Sequence, residues 1–106
     1  MDYKCAIYVR TATINNEGLL QHGRQLELCK RFVRDNGYEL YNIYQDIVGG
    51  LKLNRSALQE LLNDVSDGKI NTIVMTDTTR FVRNRGLLTL IHSFLEDNNI
   101  RITSLD

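Results

Sequence analysis

Four short runs of β-favouring residues, at 3–9 (YKCAIYV), 39–46 (ELYNIYQD), 70–76 (INTIVMT) and 100–105 (IRITSL), alternate with three segments that repeat apolar residues at helical spacing. Strands joined through helices run parallel, because each helix carries the chain back across the sheet in a right-handed crossover. The first run is apolar almost throughout, as expected of a strand covered on both faces, and belongs at the centre of the sheet. The run at 39–46 alternates and carries Tyr41, Ile43 and Tyr44, which places it nearer an edge. The expected fold is a three-layer α/β domain: a four-stranded, mainly parallel sheet in the order 2-1-3-4, with helices on both faces. A chain of 106 residues suits one domain with one core.

The first helix is expected over about 19–36, where Leu26, Cys29 and Val33 keep helical spacing, Leu28 and Phe32 widen the stripe, and Asn36-Gly37 ends it. Asn54 is suited to cap a second helix whose Leu58, Leu61, Leu62 and Val65 form one apolar face, closed by Gly68. Asn84 can cap a third, with Leu87, Leu88, Ile91, Phe94 and Leu95 turned to the core and Asn98-Asn99 as a left-handed stop. The Gly49-Gly50 pair makes the loop at 47–53 pliant, and the chain has no proline, repeat or low-complexity segment.

No apolar run approaches the roughly 20 residues of a membrane helix, and the chain enters a strand-like run at once, without a secretory signal. The expectation is a soluble cytoplasmic domain with no membrane partner. Cys5 and Cys29 lack any CxxC or Cys/His spacing and read as buried free thiols, so no metal site and no cofactor are expected. His22 and His92 have no carboxylate or cysteine partner at useful spacing and read as ordinary surface or boundary residues.

The net charge is zero, so nothing global marks a nucleic-acid binder. The distribution says more: nine of the thirteen basic residues are arginine, and several stand just after strand-like runs. In parallel α/β sheets, ligands bind beyond the carboxyl ends of the strands, where strand order reverses. That crevice would collect Arg10, Arg80 and Arg83, with Arg55 in reach. Clustered guanidiniums repel one another unless an anion or carboxylates sit among them. Two readings follow: a phosphate site, or arginines solvated or paired with Asp46 and Asp77. A receiver domain would want an acidic pair where this chain has Arg10-Thr11, and the glycine-rich turns of dinucleotide-binding and P-loop proteins are absent.

The chain resembles the resolvase/invertase family of serine site-specific recombinases from about Lys4 to Leu105. The family's opening Tyr-x-Arg-x-Ser-Thr reads here Tyr8-Val9-Arg10-Thr11-Ala12-Thr13. Its spaced glutamine looks like Gln25, and its Asp, Gly and Arg look like Asp46, Gly50 and Arg55, followed by Ala57-Leu58 and Leu61-Leu62. Its Asp-Arg-x-x-Arg-Asn reads Thr79-Arg80-Phe81-Val82-Arg83-Asn84, and the closing Thr103-Ser104-Leu105 is typical.

The resemblance implies attack of a serine hydroxyl on a phosphodiester, a 5′-phosphoserine link, strand exchange within a tetramer and resealing, without metal or nucleotide. Arg10, Arg80 and Arg83 would hold the scissile phosphate with Arg55 assisting, and Tyr8 and Gln25 would join the phosphate and DNA contacts. Clustered arginines suit a transition state that has no metal to neutralise it. DNA, further copies in a dimer or higher oligomer, and an active recombinase subunit are the implied partners. Two departures strike the chemistry. Ala12 stands at the nucleophile position, and Thr79 at the position of an acidic residue tied to proton transfer. The neighbouring Thr11 and Thr13 point to the opposite side in an extended segment and do not simply substitute. The expected function is therefore a recombinase-type catalytic domain that has lost its own cleavage; the alternative is a regulatory module that pairs with an active subunit. The family's dimerisation helix and C-terminal DNA-reading domain are not found within residues 1–106.

Overall fold

In the computed structural model, which describes residues 3–11, 16–47, 56–76 and 85–105, the chain runs β1 (Lys4–Thr11), α1 (Asn16–Asp35), β2 (Glu39–Ile47), α2 (Ser56–Ser66), β3 (Thr72–Met75), α3 (Arg85–Asp97) and β4 (Arg101–Ser104). The strands form one four-stranded sheet in the order β2-β1-β3-β4, and every pairing is parallel. This is the expected order. The central position of β1 follows from its composition: residues 5–11 are all buried, as only a strand covered on both faces can be.

Side-chain alternation along β1 divides the core into two layers. Ala6 and Tyr8 pack with Tyr44, Ile73 and Met75 against Leu58, Leu61 and Val65 of α2 and Leu95 of α3. Cys5, Ile7 and Val9 pack with Val74 against Cys29 and Val33 of α1. The helices thus cover both faces. Among the described residues no helix is long and apolar enough to cross a membrane.

Several boundaries differ from the sequence reading for physical reasons. β1 runs on through Arg10 and Thr11, which pair in register with Asp46 and Ile47 of β2, so the polar end of the strand is still laddered. α1 begins at Asn16, about a turn earlier than its apolar stripe suggests, with Glu17 in its positively polarised first turn. Leu28 does not widen that stripe: it is half exposed, while Leu26 and Phe32 pack against the α1 layer. β3 starts only at Thr72, because Asn71 turns its backbone and side chain to Lys4 instead. Of the expected α3 face only Leu95 is fully buried; Leu87, Leu88, Ile91 and Phe94 are partly buried and pack against the same core layer.

The stops behave as the sequence implies. Gly37 and Gly68 adopt φ of +67° and +73°, and Asn99 takes the left-handed conformation at φ 58°. Asn54 and Asn84, the expected caps, lie outside the described residues, as does the Gly49-Gly50 loop.

Candidate functional site

β1 is flanked by β2 on one side and β3 on the other, so strand order reverses around it, and Arg10 stands at its carboxyl end. The guanidinium-bearing residue is only 2% exposed. By alternation its side chain leaves β1 on the face of Ala6 and Tyr8, the α2 and α3 side. Gln25 of α1 reaches the backbone here, its Nε2 donating to the carbonyl of Arg10 at 3.4 Å, a long bond.

Asp46 is Arg10's register partner on β2 and is itself buried. Its carboxylate accepts the Tyr8 hydroxyl at 2.8 Å and the backbone N–H groups of Ala57 and Leu58 at 3.1 and 3.0 Å. Asp46 is therefore a tertiary N-cap: a carboxylate carried by a neighbouring strand satisfies two of the orphan donors that open α2 and faces the positive end of its dipole. It ties β1, β2 and α2 together directly beside Arg10. Tyr8, expected among the DNA contacts, is fully buried with its hydroxyl on Asp46.

On the opposite face of β1 lies a second polar cluster. Thr11 Oγ1 is 2.9 Å from His22 Nδ1, and His22 Nε2 is 2.8 Å from Gln45 Oε1. His22 is 8% exposed, so its reading as a surface or boundary residue is corrected: the ring is buried between α1, β1 and β2. Two further buried polar atoms at this end, Gln25 Oε1 and Thr76 Oγ1, have no hydrogen-bond partner among the described residues.

Ala12, Arg55, Arg80 and Arg83, and with them Asp77 and Thr79, lie outside the described residues. A polar cavity of about 820 Å³, lined among others by Tyr3, Lys4, Tyr38, Glu39 and Lys69, opens at the other end of the sheet, away from Arg10. Its lysines are paired with Glu39 and Asp64. Among the described residues no group of histidine, cysteine and acidic side chains could hold a metal. Cys5 and Cys29 are free, buried thiols, and burial pushes each up to about 11.

The family model described as "Resolvase, N terminal domain" matches residues 5–106. The chain belongs to that family. Among curated relatives, a resolvase of Clostridium perfringens is 36% identical over 58 residues, which is 54% of this chain and 30% of that protein. A second, from strain 13 / Type A, is 32% identical over 71 residues, 67% of this chain and 36% of that protein. The chain thus spans about a third of the length of these relatives.

The resolvase-type fold is equally plain in solved structures. The N-terminal catalytic domain of TP901-1 integrase superposes with a TM-score of 0.79 at 28% identity, covering 96% of this chain and 76% of that one. The C-terminal catalytic domain of ISC1926 TnpA, an IS607-like serine recombinase, reaches 0.89 at 19% identity over 97% of this chain and 67% of that one. A resolvase family site-specific recombinase from Streptococcus pneumoniae reaches 0.83 at 19%, covering 98% of this chain and 72% of that one. The four-stranded parallel sheet in the order 2-1-3-4 is the fold of serine recombinase catalytic domains.

Sequence reasoning found Arg10, Gln25 and Asp46 as members of this end of the sheet. It missed the bridge through His22 and the capping role of Asp46. A signal for the first was present, since His22 stands three residues before Gln25 and so shares its helix face.

Proposed function

We propose that this resolvase-type domain engages the phosphate backbone of DNA at the carboxyl end of β1 and does not cleave it. The observation that carries the reading is the burial of Arg10 beside the strand-order reversal, one position from a threonine and two from Ala12. Arginine's planar fork matches two phosphate oxygens, and Arg55, Arg80 and Arg83 would complete the grip as the family pattern implies. Ala12 has no oxygen with which to attack, and Thr79 cannot serve as the acidic partner of a leaving oxygen. Thr11 does not take over: its hydroxyl is engaged with His22 on the opposite face of β1 from Arg10. The proposed partners are DNA and further recombinase subunits in a dimer or larger assembly, one of which would supply the cleaving serine. No metal or nucleotide enters this reading, and its place is the cytoplasm.

The test is a search for a covalent protein–DNA species on denaturing gels, with the chain as it stands and fused to a resolvase's dimerisation helix and DNA-reading domain. The unaltered chain should give none, since loss of the nucleophile costs on the order of a millionfold in a serine protease. Ala12→Ser alone should recover little, because a general acid contributes about 10²- to 10⁴-fold. Ala12→Ser with Thr79→Asp should give the adduct far more strongly. An adduct from the unaltered chain, mapped to Thr11 or Thr13, would overturn the loss of cleavage. A salt titration addresses the grip separately, because each phosphate contact adds about 0.9 to the slope of log affinity against log salt.

A further inference from the structure

Among the described residues, the ladder of β1 reaches further along β2 than along β3. On the β2 side the register continues to Thr11↔Ile47, whereas on the β3 side the paired residues end at Ile7↔Val74. Among the described residues, the last part of β1, including Arg10, is paired along its β2 side. On the α1 face two side chains one helical turn apart grip this end: Gln25 donates to the Arg10 carbonyl, and His22 meets the Thr11 hydroxyl. His22 is in turn anchored on β2 through Gln45, so a single buried ring links three elements.

We propose that His22 is a positioning residue for the phosphate site: acting through Thr11, it holds the carboxyl end of β1 so that Arg10 meets phosphate from a fixed backbone. The proposal rests on the phosphate reading given above and names what sets its geometry. The hydrogen-bond chemistry is specific. With Gln45 presenting its carbonyl oxygen, His22 Nε2 carries the ring hydrogen and Nδ1 accepts from Thr11. An aliphatic side chain at position 22 could fill the space but could not join β1 to β2. Thr11 can bond Nδ1 only while its side chain lies on the α1 face, and by alternation that directs Arg10 to the opposite face.

The experiment compares His22→Leu, His22→Asn, Thr11→Val and Arg10→Gln in the full 106-residue chain, binding a fluorescent DNA duplex at several salt concentrations, with histidine and arginine side-chain NMR on each. Wild type should show His22 as one fixed tautomer with hydrogen on Nε2. Arg10→Gln should weaken binding and lower the salt slope by about 0.9. His22→Leu and Thr11→Val should each weaken binding about three- to tenfold, the range of one hydrogen bond. Combined they should be no worse than either alone, and Arg10 Nε–H exchange should be faster in both. His22→Asn, whose amide can reach Thr11 from the position of Nδ1, should restore part of the loss. Thr11→Val changes one buried oxygen for a methyl group and carries the comparison if His22→Leu does not fold. Folded His22→Leu or Thr11→Val with wild-type binding and wild-type Arg10 exchange would overturn the proposal. If Arg10→Gln binds like wild type, the phosphate reading falls instead; positioning is then decided by Arg10 exchange, faster supporting it and unchanged overturning it.

Discussion

Replacing Asp46 with alanine should be among the most damaging single changes in the domain, although the side chain is not apolar. Its carboxylate accepts the Tyr8 hydroxyl and the N–H groups of Ala57 and Leu58. Losing the cap costs about 1 kcal/mol, with a range of about 0.5–2. Depriving a buried hydroxyl of its partner costs about 1–3 kcal/mol. The sum is about 2–4 kcal/mol, a large share of the roughly 5–15 kcal/mol that holds a domain folded. At about 4–8 °C per kcal/mol for a chain of this size, the melting temperature should fall by about 10–30 °C. The chain has no tryptophan, so the assay is urea unfolding followed by far-UV circular dichroism. Tyr8→Phe keeps the cap and should cost about 1 kcal/mol. In the Tyr8→Phe background Asp46→Ala should cost correspondingly less, because the hydroxyl it would strand is gone. Asp46→Ala within about 0.5 kcal/mol of wild type, the scatter of an ordinary surface change, would refute the tertiary cap. Strict additivity of the two changes would refute the Tyr8 link.

Tyr44 donates to Asp64 at 2.5 Å, and burial followed by the adjoining carboxylate pushes its phenol above the usual tyrosine range. Tyr44→Phe should cost about 1 kcal/mol, and the difference between wild-type and variant ultraviolet titrations should show no phenolate from this residue near pH 10. The two thiols, raised from 9.0 to about 11, bind protons more tightly in the folded state than in the unfolded one. Their contribution to stability is therefore whole below pH 9 and declines as pH rises toward 11. A thiol reagent at neutral pH should modify Cys5 and Cys29 only at the rate of unfolding; prompt modification of the native protein would contradict their burial.

The fold was legible because its strongest determinants are local. The nearly continuous apolar run at 3–9, broken only by Lys4, is best satisfied between two covering layers, and the helical segments between the strands leave few ways to connect a parallel sheet. The left-handed stops at Gly37, Gly68 and Asn99 are also local, each set by a residue that tolerates positive φ. What escaped were ends settled by distant partners. β1 continues through Arg10 and Thr11 because β2 offers Asp46 and Ile47 alongside, a register that no pattern within β1 encodes. β3 begins late because Asn71 is spent on Lys4, 67 residues away.

The same distinction governs the site. Arg10, Gln25 and Asp46 were recognisable because the family pattern marks their positions, but the physical work of Asp46 depends on α2 arriving beside it, 11 and 12 residues downstream. His22 was misread for a related reason. A search for carboxylate and cysteine partners at short spacing could not find Gln45, which comes from another strand 23 residues away and is neither. A buried imidazole with one nitrogen on a hydroxyl and the other on an amide needs no charge in its neighbourhood to be held. Polar residues on a half-buried helix face are thus better judged by what the strands beneath them can offer than by their neighbours in sequence. Applied to α1, that criterion selects His22 and Gln25, the two buried polar side chains that meet the end of β1. Both contacts, to the Arg10 carbonyl and the Thr11 hydroxyl, come from one face of α1 and meet two successive residues of β1.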